Sequence, residues 1–206
     1  MIKYKVNTWP LWLLSLLLAF ASCSETVEDD TEFSDWKSRN ESYFNGIYQQ
    51  AVSAVGSGSS EWKVLKKWSL TDDVATSADR HIVAQVLQAG TGSGCPLYTD
   101  SVQIHYRGNL MPSASYPSGF QFDSSWTGDY NPNTAKPTRN VLSGFIDGFI
   151  TALLHMHIGD RWRVYVPYTL GYGVNDNGSI PAYSTLVFDI TLVSYSRAGQ
   201  VMPEWK

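Results

Sequence analysis

Ser101-Val102-Gln103-Ile104-His105-Tyr106-Arg107 alternates side chains, with Val102, Ile104 and Tyr106 on one side and Gln103, His105 and Arg107 on the other. A period of two marks a strand with one buried face. Moving outward, residues 161–167 bring Trp162, Val164 and Val166 to a common face, and residues 185–195 do the same for Leu186, Phe188, Ile190 and Leu192. Residues 62–70 and 82–88 are further strand candidates, separated by the polar turn material 71–79. One helical piece, residues 149–158, interrupts the strands and is closed by Gly159, in a position that favours glycine. Several strands, one helix and two more strands predict an α+β fold, an antiparallel β-sheet wrapped around one short α-helix.

Before the strands, residues 31–55 predict an amphipathic helix. Phe33, Trp36, Phe44, Ile47, Tyr48, Ala51 and Val55 recur mostly at steps of three and four, while Asp35, Lys37, Arg39 and Glu41 fill much of the other side. Gly56-Ser57-Gly58-Ser59-Ser60 ends it as a joint. So aromatic a stripe needs cover, from its own domain or from a second copy, and the residues leave the oligomeric state open.

The extreme N-terminus reads as a targeting segment. Lys3 and Lys5 precede an almost wholly apolar run from Trp9 to Ala21, too short for a comfortable membrane span of about 20 residues. It ends in Phe20-Ala21-Ser22-Cys23, which resembles a bacterial lipoprotein processing site. That resemblance implies a signal peptide over 1–22, a lipid on Cys23, an acidic tether over 23–30 and a place in the bacterial cell envelope. Cys95 is the only other cysteine, so no intrachain disulfide is expected once Cys23 is lipidated.

Several chemistries are set aside by composition and pattern. A formal net charge of -4 gives no basic face for nucleic acid. There is no Gly-x-Ser-x-Gly elbow, phosphate-cradling glycine loop or Cys-x-x-Cys pair. His155 and His157, two apart on the predicted helix, point in different directions and make poor joint metal ligands. No metal or cofactor is expected. The aromatic fraction of 14%, with eight Trp and twelve Tyr, suits either a β-rich core or a lined pocket.

Five phrases decide between those uses. They are Val102-Gln103-Ile104-His105-Tyr106-Arg107-Gly108, Phe122-Asp123-Ser124-Ser125, Phe145-Ile146-Asp147-Gly148-Phe149, the run from Val166 through Gly171-Tyr172-Gly173, and the run from Ile180-Pro181 to Thr185-Leu186-Val187-Phe188-Asp189. In this order and near this spacing they resemble the FKBP-type peptidyl-prolyl cis–trans isomerases, over roughly residues 82–195. The resemblance implies an isomerase domain over 99–196, preceded by additional strands in 61–98 and followed by a tail over 197–206. It also implies a pocket formed by Tyr106, Phe122, Asp123, Ile146, Phe149, Tyr172 and Phe188, with Phe145 and Ile180 contacting substrate. In that picture Phe149 is the floor under a proline ring, Tyr172 and the Ile146 N–H donate to substrate carbonyls, and Asp123 is a polar wall. The expected partners are proline-containing polypeptides and, through the lipid, a membrane.

The chain departs from the family pattern at three places. Phe149 stands where tryptophan is usual, Phe145 where a smaller aliphatic residue is usual, and residues 137–141 lack the aromatics of many relatives. The loops 111–121 and 126–136 are long and are expected to flank the pocket. Two other readings remain: a peptide-binding or chaperone module that kept the fold with weak catalysis, and an envelope protein acting through its N-terminal helix.

Overall fold

The computed structural model describes residues 31–205, so the segment 1–22, Cys23 and the tether to residue 30 lie outside the described residues. In chain order the elements are α1 (Trp36–Gly56), β1 (Trp62–Lys66), β2 (His81–Gln88), β3 (Ser101–Leu110), β4 (Gln121–Ser124), β5 (Thr138–Val141), α2 (Asp147–Leu153), β6 (Arg161–Val166) and β7 (Leu186–Ser196). All strand pairs are antiparallel, in one sheet of order β1-β2-β6-β7-β3-β4. β5 shares the outer edge of β3 with β4: residues 101–104 of β3 face β5, and residues 107–109 face β4.

The alternation predicted from sequence sets the main core. Val102 and Ile104 of β3, Trp162, Val164 and Val166 of β6, and Leu186, Phe188, Ile190 and Leu192 of β7 all turn inward. They close on Phe149, Ile150 and Leu153 of α2 and on Met156 beyond it. Burying each such side chain contributes about 1.5–3 kcal/mol. Gly148 lets α2 come down onto the sheet, since a Cβ there would sit 2.3 Å from Val166 Cγ1. The helix is shorter than the predicted 149–158. It ends at Leu153 in tight turns, His155 N–H to Ala152 O and Met156 N–H to Leu153 O, so His155 and His157 lie beyond it. Gly159 does adopt the left-handed backbone, at φ 91°.

α1 covers the other face of the sheet. Val64, Val83, Tyr165 and Val187 are lateral neighbours across β1, β2, β6 and β7, and they form a second apolar cluster with Phe44 and Ala51. The aromatic stripe is thus covered within the chain. The helix begins at Trp36 rather than 31, because Thr31–Phe33 is a separate 3-10 turn and Asp35 is left-handed at φ 52°. Phe33 and Val55, at the ends of the predicted stripe, are exposed because the cluster reaches only the middle of the helix.

Two further expectations are corrected. β1 stops at Lys66, where the chain turns with Leu70 N–H bonded to Lys67 O. The loop 126–136 covers the outer face of the sheet, and neither long loop supplies a residue to the cavity at the start of α2. Trp126 and Tyr130 pack their rings edge-on to His105, while Arg107 and Arg161 lie over Trp126 and Tyr130. His105, placed by the alternation on the polar side, is consequently 1% exposed. Pro112 and Pro117 of the earlier loop line an outer hollow with Tyr43 and Tyr165. Met111 and Phe120, at the two ends of the earlier loop, pack instead with the main core.

Candidate functional site

At the open end of the main core the inward rows of β3, β4 and β7 meet the start of α2. Tyr106, Phe122, Asp123, Gly144, Phe145, Ile146, Phe149, Tyr172 and Phe188 line a cavity of about 190 Å³ there. Phe149, 3% exposed, is the floor. Phe188 stands nearly perpendicular to it at 5.1 Å between centroids, and Tyr106 likewise at 5.9 Å. Phe122 meets Phe188 edge-on at 5.6 Å. Edge-to-face packing of this kind adds about 0.5–1.5 kcal/mol per pair beyond burial and fixes the ring planes. Gly108 makes the wall possible, because a Cβ there would lie 2.6 Å from the Phe122 ring and 2.7 Å from that of Phe188.

Phe145 lies flat on Phe149, with centroids 4.8 Å apart and planes 16° from parallel. The pair occupies one slab, so the two departures from the family pattern are a single coupled change in shape.

The polar groups sit at the rim. Tyr106 donates its hydroxyl to Asp123 Oδ2 at 2.6 Å, and Asp123 Oδ1 accepts the Ser124 N–H at 2.8 Å. Burial, followed by the hydrogen bond and charge of Asp123, holds the Tyr106 hydroxyl well above its ordinary pKa. Burial and then the Asp123 charge raise Tyr172 in the same direction. Both phenols are therefore protonated donors throughout the neutral range. Among the described residues, the Ile146 N–H has no backbone acceptor.

Eight of the nine residues predicted to form the pocket come together in it. The exception is Ile180, which is 6% exposed and packs within the main core beside the cavity. Gly144 lines the cavity and was not anticipated from sequence, since a lone glycine carries no pocket signal. Cys95 is a free thiol 3.9 Å from His157 Nε2, with its pKa pushed up by burial and by Asp160. That shift makes it a poor nucleophile at neutral pH.

None of the lining residues is a serine, cysteine, histidine or lysine. Its volume is below the ~300–1,000 Å³ of pockets that enclose drug-sized ligands. Such a bowl admits one ring-sized group while the rest of a larger ligand would lie outside. Comparison with known proteins places it further. Residues 95–193 match the family model of the FKBP-type peptidyl-prolyl cis-trans isomerases.

The macrophage infectivity potentiator of Trypanosoma cruzi is 38% identical over 120 residues, 58% of this chain and 55% of that protein. The FKBP-type 22 kDa peptidyl-prolyl cis-trans isomerase of Escherichia coli K12 is 35% identical over 118 residues, 57% of this chain and 51% of that one. The crystal structure of FkpA from E. coli aligns at a TM-score of 0.56 and 26% identity, over 81% of this chain and 63% of that one. The chain spans about half the length of the curated relatives it matches. α1, β1 and β2 precede the segment that matches the family model.

Proposed function

We propose that the protein is a peptidyl-prolyl cis–trans isomerase acting on exported or envelope polypeptides, with the aromatic bowl as its site and a lipid on Cys23 as its anchor. The observation that carries the reading is a ring-sized aromatic bowl floored by Phe149, with protonated donors at its rim and no serine, cysteine, histidine or lysine in its lining. X–Pro rotation needs no bond to break. Its barrier of ~18–20 kcal/mol is the loss of amide resonance, and uncatalysed isomerisation takes tens to hundreds of seconds.

In the twisted state the carbonyl is less polar, so stripping water from it costs less than in the planar state. A bowl that excludes water and grips the proline ring therefore favours the twisted amide. Tyr172 and the Ile146 N–H donate to carbonyls flanking the proline and hold the peptide while it turns. Tyr106 fixes Asp123 as the polar wall, and Phe122 and Phe188 enclose the ring.

The test is cis-to-trans relaxation of a proline tetrapeptide catalysed by residues 24–206. Tyr172→Phe should lower kcat/KM by about fivefold, the equivalent of one ~1 kcal/mol hydrogen bond. No acceleration by the unmutated chain would sink the reading, and binding of unfolded chains without acceleration would favour the peptide-binding module. For the anchor, Cys23→Ala should move the protein out of the membrane fraction; unchanged fractionation would count against lipidation.

A further inference from the structure

We propose that Lys67 and Trp68, which precede the matched family segment, are positioning residues of the isomerase site, acting through Asp147 to hold the start of α2. The proposal rests on the isomerase reading above. Its starting point is the weakness of α2 by itself. The helix has seven residues, and Ile146, just before it, provides no side-chain cap. A helix so short does not hold its own first turn. Yet that turn carries the Ile146 N–H, Asp147 and, two residues on, the floor Phe149.

The missing restraint comes from the turn after β1. Trp68 donates its indole N–H to Asp147 Oδ1 at 2.9 Å, and Lys67 Nζ lies 2.7 Å from Asp147 Oδ2. Both carboxylate oxygens are thereby held from the same turn. A third link runs beside them. The Trp68 backbone N–H donates to Thr151 Oγ1 at 3.1 Å, and that hydroxyl donates to Asp147 O at 2.7 Å.

The clamp is itself fixed at its base. The Lys67 N–H donates to Arg80 O at 2.8 Å, tying it to the hairpin of β1 and β2, and Trp68 stacks on Tyr98 at 4.5 Å. A half-exposed ion pair of this kind contributes little to global stability. Its consequence is geometric, since misplacing a catalytic group by about 1 Å can cost ~100-fold in rate.

The test uses residues 24–206 carrying Trp68→Phe, Lys67→Met, Lys67→Arg, Asp147→Ala and the Trp68→Phe/Asp147→Ala pair. The readouts are kcat and KM taken separately, thermal midpoint, and the amide resonance of Ile146. Trp68→Phe and Lys67→Met should each lower kcat/KM by about fivefold, mainly in kcat, and shift the Ile146 resonance. Lys67→Arg should restore the rate, and the pair should be no slower than Asp147→Ala alone, because the two act in series.

Unchanged kinetics in both single variants would overturn the proposal, as would additive losses in the pair or losses that only track the thermal midpoint. If the unmutated chain shows no isomerase activity, the reading of the site fails. The Ile146 resonance then still reports whether Trp68 and Lys67 hold that amide.

Discussion

Phe145 and Phe149 show how far single residues could be read. The sequence phrase placed Phe149 in the pocket, and it lines the cavity at 3% exposure. Phe145, which stands where a smaller aliphatic residue is usual, lies flat against Phe149 and takes up space that a larger floor would need. Phe149→Trp alone should therefore overpack the slab and destabilise the protein by about 1–3 kcal/mol. Adding Phe145→Val should recover most of that loss, as read from urea midpoints of the two single variants and the pair. Tyr106 and Phe188 were legible because strand alternation points them inward, and Phe122 only through the family phrase that holds it. The partners of Asp147 were not, because Trp68 lies 79 residues away and a lone carboxylate in a first helical turn ordinarily reads as dipole compensation.

At the scale of elements, α1 illustrates what an apolar stripe leaves out. Trp36, Phe44 and Ala51 were predicted to be buried and are. Asn40 sits among them with no solvent access, donating to Trp36 O at 2.7 Å and accepting the Thr185 N–H at 2.7 Å. Beside it the Trp36 indole N–H donates to Ser184 Oγ at 2.9 Å. The helix thus braces the segment running into β7, where Tyr183 is held at φ 64°. Asn40→Ala would strand the Thr185 N–H without an acceptor. It should cost about 1–3 kcal/mol in chemical denaturation. A polar residue within an apolar stripe normally reads as surface, and its partner 145 residues on is invisible to local pattern.

For the whole molecule, the fold makes stability fall on both sides of neutrality. Burial lowers the His105 pKa, and among the described residues neither ring nitrogen has a hydrogen-bond partner. Below about pH 6.5 the unfolded chain then binds a proton that the folded chain resists, so stability declines as pH falls. His105→Phe should flatten that decline, measured as the difference in urea midpoint between pH 7 and pH 5. On the alkaline side burial pushes Tyr43 up to about 12 and also raises Tyr106, Tyr165, Tyr168 and Tyr172. Raised phenols keep their protons when folded, so stability should hold to about pH 10 and drop above it, where the unfolded tyrosines ionise.

The position of β7 in the sheet also dictates a schedule. It lies between β6 and β3, so the last strand among the described residues joins two halves of the sheet that are otherwise unconnected by backbone bonding. Until it arrives, β1, β2 and β6 form one ribbon and β3 with β4 and β5 another, each exposing an unpaired edge. The sheet therefore cannot close before β7 is available to pair. The gap in the middle of the sheet acts as a built-in delay, leaving two separate ribbons until the strand that joins them is in place.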